Sequence, residues 1–62
     1  MLHQIVKKDG TVIILNYVAL IMPLLGTGQY RSYDVIMNNG KNIEIFETDI
    51  SRATFLAALA NI

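Results

Sequence analysis

The stretch YDVIMNNGKNIEIF, residues 33–46, determines the fold class of this chain. Asn39-Gly40 lies at its centre, and this dipeptide between two β-prone runs is a strong hairpin signal, because both residues tolerate a positive φ. Apolar and polar residues alternate on each side of the turn, which places Ile43 and Ile45 on the inward face of the second run. We therefore predict the antiparallel strands Tyr30–Met37 and Asn42–Phe46.

A second hairpin is predicted nearer the N-terminus. Asp9-Gly10 separates a short strand, Leu2–Lys7, from a return strand, Thr11–Leu15. The run Val12-Ile13-Ile14-Leu15 does not alternate between apolar and polar residues, so we expect both of its faces to be covered.

The segment Val18–Leu25 has two interpretations. It is either a short helix capped by Asn16 and ended near Pro23, or a third strand. As a strand it would lie at a sheet edge or contain a bulge, because Pro23 has no N–H to donate to a ladder. We favour the strand.

The C-terminal segment has the pattern of an amphipathic helix. Thr48 or Asp49 can cap it, and an apolar stripe follows at three-to-four spacing: Ile50, Ala53, Leu56, Ala57 and Ala60. The predicted fold class is α+β, mostly β, with a small antiparallel meander of about five strands capped by one C-terminal helix. The whole chain, residues 1–62, forms a single domain.

The chain is too apolar for its size. Of its 62 residues, 53% are hydrophobic, and no charged side chain occurs between Asp9 and Arg31. A monomer this small buries only about 60% of the surface that its unfolded chain exposes. The excess apolar surface is therefore expected to meet a partner, a second copy of the chain or a membrane, and symmetric self-association is the commonest of these solutions. Apolar residues occupy both faces of one segment, and these are the predicted oligomer interface: Leu20, Ile21, Met22, Leu24 and Leu25.

Several classes of function are disfavoured by composition. Five basic residues balance five acidic ones, so no nucleic-acid partner is expected. The chain has no cysteine and one histidine, His3, which we interpret as a polar strand residue facing water. No nucleophile with its base, no metal-ligand spacing and no cofactor motif can be assembled. We therefore predict a protein that is not an enzyme, with no catalytic residue, metal or cofactor.

The uncharged run Thr11–Tyr30 has the ~20 residues that a membrane-spanning helix needs. Asn16, Pro23 and two glycines interrupt it, and its β-branched opening favours a strand. A cytoplasmic β-rich protein is therefore preferred, and a small membrane protein is the less favoured alternative.

The most distinctive polar cluster is formed by Tyr30, Arg31 and Tyr33. An arginine between two tyrosines can stack on a base, hold a phosphate or anchor a protein interface. The alternative is cross-strand packing of the tyrosines beside a solvated arginine. If the protein binds a ligand or a partner, we expect the site here.

The order of these signals resembles the small flagellar and swarming-motility proteins of the FlbD family. The residues that carry the resemblance are Asp9-Gly10, Leu15-Asn16, Ile21, Asn39-Gly40-Lys41 and Glu47. The resemblance implies a cytoplasmic bacterial protein that affects motor or swarming behaviour. A phage or accessory protein of like shape would need the same turn residues.

The sequence thus predicts a non-enzymatic, homo-oligomeric interaction module that binds a protein partner. The alternative is capture of a small, nucleotide-like ligand at a subunit interface near Tyr30, Arg31 and Tyr33.

Overall fold

The computed structural model describes residues 2–62 and confirms the predicted fold class, α+β and mostly β. Five antiparallel strands form two sheets, and one helix follows at the C-terminus. The elements are β1 (Gln4–Val6), β2 (Val12–Ile14), β3 (Val18–Ile21), β4 (Ser32–Met37), β5 (Asn42–Phe46) and α1 (Arg52–Ala60). Single 3-10 turns cover Leu15–Tyr17 and Gly28–Tyr30.

The strands divide into a two-stranded sheet, β1-β2, and a three-stranded sheet in the order β3-β4-β5. The 3-10 turn at Leu15–Tyr17 separates them, because it redirects the chain between β2 and β3. Asn16 secures this corner by accepting a hydrogen bond from the backbone N–H of His3 at 2.7 Å. The side chain of Asn16 therefore ties the corner to β1 and does not cap a helix.

The two predicted hairpin turns are confirmed, and they share one geometry. Gly10 and Gly40 have φ values of 93° and 86°, whereas no non-glycine residue in the described part of the chain has a positive φ. Each turn is thus a three-residue loop in which only the glycine is left-handed. Asp9 and Asn39 instead use a side-chain oxygen to accept the backbone N–H two residues later, in both cases at 2.9 Å.

The strand interpretation of residues 18–25 is confirmed for Val18–Ile21. Val18 pairs with Met37 and Leu20 with Ile36, so Ala19 has no counterpart and forms a bulge at the start of β3.

 Pro23 lies just beyond the strand, where its missing N–H interrupts no ladder bond.

The core lies on the inner face of the three-stranded sheet, beneath the β1–β2 hairpin and α1. Its buried residues come from both sheets and from the C-terminal segment: Ile13, Leu15, Tyr33, Val35, Ile45, Ile50 and Phe55. At its centre the rings of Tyr33 and Phe55 meet edge to face, with centroids 6.0 Å apart. The predicted inward residues Ile43 and Ile45 do contact this core.

The expectation that both faces of β2 are covered is wrong. Ile13 is buried at 1% exposure, but Val12 is 48% exposed. The hairpin lies at the surface of the molecule, so only the side of β2 that faces the core is covered, although its sequence does not alternate.

The helix is present, but its cap and its buried side differ from the prediction. Ser51 is the cap, since its side chain accepts the backbone N–H of Thr54 at 3.1 Å. Asp49 instead accepts the backbone N–H of Lys8 at 3.0 Å, which ties the first hairpin to the segment before the helix. The residues of α1 that contact the core are Phe55, Ala58 and Leu59, and the predicted stripe members within α1 are exposed: Ala53, Leu56, Ala57 and Ala60.

This difference has a simple cause. α1 is apolar on nearly every side, so its sequence does not specify which side is buried. Phe55 has the largest side chain in the helix and lies over Tyr33, and that contact sets the rotation of the helix.

No helix within residues 2–62 is long and apolar enough to cross a membrane.

Candidate functional site

The three-stranded sheet has a second face, directed away from the core, which we call the outer face. Paired residues of neighbouring strands point to the same side of a sheet, so the register defines its members. They are Leu20, Met22 and Leu25 on or beside β3, Ser32, Asp34 and Ile36 on β4, and Asn42, Glu44 and Phe46 on β5.

The outer face is apolar on its β3 side and more polar on its β5 side. Leu20 and Leu25 are 59% and 67% exposed, and Met22 between them is also exposed. Toward β5, the hydroxyl of Ser32 donates a hydrogen bond to the carboxylate of Glu44 at 3.2 Å. An apolar strip therefore borders a sheet edge, with polar groups beside it.

The structure divides the predicted oligomer interface into two sets. Leu20, Met22 and Leu25 are exposed, whereas Ile21 and Leu24 are half-buried and pack against the core. Alternation along the extended strand separates Leu20 and Met22 from Ile21. Beyond Met22 the alternation is interrupted at Pro23, because Met22 bonds Asp34 whereas Leu25 bonds Ser32, and Leu25 therefore returns to the exposed side. Only the first three side chains are free to meet a second molecule.

The structure does not bring Tyr30, Arg31 and Tyr33 together as one binding cluster. Tyr30 is 71% exposed at the end of a 3-10 turn, and Arg31 is also exposed. Tyr33 is only 1% exposed because it lies on the inward side of β4. Including Tyr33 in a ligand site was therefore wrong, and its role is structural.

Tyr33 links the sheet to the segment before the helix. Its hydroxyl donates a hydrogen bond to the carbonyl of Ile50 at 2.8 Å. Burial, together with the nearby carboxylates of Glu47 and Asp49, raises the pKa of this phenol to about 12, against a smaller lowering by the Arg52 guanidinium. The phenol stays protonated at neutral pH and so keeps its donor role.

Tyr30 belongs instead to an open cleft at one end of the sheet. The cleft has a volume of about 430 Å³ and is lined by Gln29, Tyr30, Phe46 and Thr48. Phe46 is also a member of the outer face, so the cleft and the apolar strip lie on one continuous surface. The sequence held one signal for this site, since Phe46 interrupts the polar face of its strand.

The two edges of the three-stranded sheet differ. At the β5 edge, the ammonium group of Lys7 donates a hydrogen bond to the carbonyl of Glu44 at 3.2 Å. Lys8 donates in the same way to the carbonyl of Thr48 at 3.0 Å. β3 has a hydrogen-bonded neighbour on one side only, and no charged residue lies within the strand. The lysines of the first hairpin therefore shield the β5 edge. On the β3 side, the N–H of Val18 donates to the carbonyl of Leu15, and the Nε–H of Arg52 donates to the carbonyl of Met22 at 3.1 Å. The β3 edge is open between these two residues.

His3 lies outside this surface. It precedes β1 and is half-buried, and its Nδ1 has no hydrogen-bond partner among residues 2–62. The interpretation of His3 as a water-facing strand residue was therefore wrong. Across the same residues, no group of three or more His, Cys, Asp or Glu side chains could hold a metal ion.

Comparison of the chain with models of protein families, with curated proteins and with solved structures finds no match.

Proposed function

We propose that the protein is a non-enzymatic interaction module that associates with a second copy of itself and binds a protein partner. The observation that carries this proposal is the apolar strip of the outer face, formed by Leu20, Met22 and Leu25. Side chains of this size, exposed side by side along a sheet edge, are typical of a surface that is covered in an assembly.

Loose folding does not account for this exposed apolar surface. The accessible surface of the protein is 4129 Å². A folded monomer of 6.9 kDa is expected to expose about 4000 Å², so the chain is as closely folded as others of its size. Large apolar side chains are exposed because the single core has no room for them. A second copy is the most direct way to cover them.

Paired substitutions in β3 test self-association. Leu20→Asp places a charge on the apolar strip without touching the core, so we expect a folded monomer. Ile21→Asp places the same charge against the core, so we expect an unfolded chain. Val12→Asp changes another exposed apolar residue, in the other sheet, and should leave the assembly intact. Sedimentation velocity over a range of concentrations measures the particle mass, and circular dichroism reports folding.

The self-association proposal fails if the unmodified protein sediments as a monomer at every concentration. It also fails if Leu20→Asp and Val12→Asp weaken association equally, because the strip would then have no special role.

A second candidate function is the capture of a small ligand, and the cleft beside Tyr30 favours it. Two aromatic rings, of Tyr30 and Phe46, line a space large enough for a nucleotide-sized molecule. A ligand that binds only the folded protein raises its melting temperature. A thermal-shift screen with nucleotides should therefore give an increase that Tyr30→Ala abolishes and Tyr17→Ala, at an exposed tyrosine elsewhere, preserves. No shift with any nucleotide contradicts this candidate.

We also propose a cytoplasmic location for the protein. Its biological role would be either in flagellar or swarming behaviour or as a phage or accessory protein. Support for the first comes from the residues that carry the FlbD resemblance, of which Asp9-Gly10 and Asn39-Gly40 occupy the hairpin turns. Loss of swarming on deletion of the gene, restored by the intact gene but not by a Leu20→Asp copy, would connect this role to the apolar strip. Normal swarming after deletion would contradict it.

A further inference from the structure

We propose that two copies of the protein join through their β3 edges, in antiparallel register, to form one continuous six-stranded sheet. This inference rests on the self-association proposed above and specifies which backbone atoms make the contact and why assembly stops at two copies.

The backbone of β3 has hydrogen-bonding groups without a neighbouring strand. Antiparallel ladder bonds are made by alternate residues, and Met22 uses its N–H to bind the carbonyl of Asp34 at 2.8 Å. Ile21, which precedes it, therefore directs its N–H and carbonyl away from β4. These are the groups that a further strand would bind.

The charges on the outer face favour contact at the edge over contact between whole faces. Stacking two outer faces would bury Asp34 and Glu44 of each copy without a cationic partner on that face, which is strongly unfavourable. Edge pairing leaves these carboxylates in water. It brings together Val18–Met22 of each copy, which carry no charged side chain, so no like charges lie directly opposite each other.

The expected register centres the two-fold axis on Leu20. Val18–Met22 of one copy then lies opposite the same residues of the other, and Pro23 lies outside the paired region, where its missing N–H has no effect. Leu20 faces Leu20 at a position without ladder bonds, where Cα atoms lie about 4.5 Å apart. Ile21 then lies opposite Ala19, and its outward N–H and carbonyl are the groups offered to the other copy.

The shielded β5 edge explains why the assembly closes. A sheet with two open edges can add copies indefinitely, whereas one with a single open edge stops at a dimer. Lys7 occupies the Glu44 carbonyl on the β5 edge. The same arrangement covers Leu20 of each copy against the other at the axis, and it places Met22 and Leu25 of both copies on one surface that a protein partner can bind.

Backbone N-methylation tests this inference without changing any side chain, and a chain of 62 residues is accessible to chemical synthesis. N-methylation of Ile21 removes the outward N–H of β3 in both copies, so we expect the dimer dissociation constant to rise by roughly tenfold or more. N-methylation of Asn42, on the β5 edge, is the matched control and should leave the constant unchanged. Circular dichroism checks that both synthetic proteins fold.

Cysteine cross-linking tests the register, since the natural chain has no cysteine. Leu20→Cys should form an intermolecular disulfide in high yield on mild oxidation, because the expected Cα separation suits the bond. Val12→Cys, equally accessible but in the other sheet, should not.

The outcomes separate this inference from the function on which it rests. A monomer at all concentrations overturns both. A dimer that tolerates N-methyl-Ile21 leaves self-association standing and overturns edge pairing. A dimer that N-methyl-Ile21 weakens but Leu20→Cys does not cross-link overturns the register centred on Leu20. A particle mass that exceeds that of two copies as the concentration rises overturns the inference that assembly stops at a dimer.

Discussion

The hydroxyl of Tyr33 donates a hydrogen bond to the backbone carbonyl of Ile50 at 2.8 Å, and this contact joins the middle of the sheet to the start of the helical segment. The ring of Phe55, which lies one turn into α1, packs edge to face against the ring of Tyr33. Because both contacts converge on one side chain, Tyr33 is the residue through which β4 and α1 hold each other in place.

Removing the hydroxyl of Tyr33 should lower the stability of the folded protein, although only one oxygen atom is lost. Tyr33→Phe keeps the ring contact with Phe55 but leaves the Ile50 carbonyl buried without its donor. We expect the free energy of unfolding to fall by about 1 kcal/mol. Urea denaturation followed by circular dichroism at neutral pH measures it. Tyr17→Phe, at an exposed tyrosine, should change the stability by much less, and equal losses would contradict the role assigned to Tyr33.

The same phenol should make stability depend on pH in the alkaline range. Burial, with the carboxylates of Glu47 and Asp49, raises its pKa from 10.0 to about 12, so the unfolded chain loses this proton at a lower pH than the folded protein does. The stabilisation is complete below pH 10 and is lost as the pH rises toward 12. The difference in unfolding free energy between the natural protein and Tyr33→Phe should therefore shrink between pH 10 and pH 12. A difference that stays constant over this range would show that the phenol titrates alike in both states.

Ser51 is expected to contribute more to helix stability than either residue that the sequence favoured as a cap. Its hydroxyl accepts the N–H of Thr54, so Ser51→Ala should lower the unfolding free energy by about 1 kcal/mol. Thr48→Ala is the control, since Thr48 accepts a bond from Lys8 through its backbone carbonyl, which the substitution keeps. Thermal unfolding of the two variants decides between them, and a larger loss for Thr48→Ala would place the cap elsewhere.

Gly26 should tolerate a side chain less well than Gly10. Both have a positive φ, at which an added Cβ costs about 1–2 kcal/mol. At Gly26 that atom would also lie 2.9 Å from the carbonyl oxygen of Tyr30, whereas at Gly10 it would meet nothing within 4 Å. Gly26→Ala should therefore lower the melting temperature more than Gly10→Ala and disturb the cleft beside Tyr30. Equal effects would mean that the loop adjusts without cost.

The sequence predicted the β4–β5 hairpin well because several local signals agree there. The turn glycine, the alternation of side chains and the β-branched residues all favour the same register, so Ile43 and Ile45 were correctly placed inward. The prediction was weaker for β2 and α1, which are apolar on more than one side. For those elements, burial depends on what lies opposite in space, and no local pattern encodes that.

The candidate site was only partly predictable for the same reason. Leu20, Met22 and Leu25 were recognised as interface residues from their apolar character, but so were Ile21 and Leu24, which contact the core. Separating the two sets requires the register of β3 against β4, including the bulge at Ala19. Phe46 was the one signal for the cleft in the sequence, because Gln29 and Thr48 are distant in sequence and meet only in the folded chain.

By itself, the order of residues determined the two turns, the strands beside them and an excess of apolar side chains, because each depends on near neighbours or on composition alone. Tertiary structure decided which side of each apolar element is buried, which polar atoms meet and which sheet edge is left open. Those outcomes depend on a few long-range contacts, above all those of Tyr33 and Lys7, that form only when distant segments pack together.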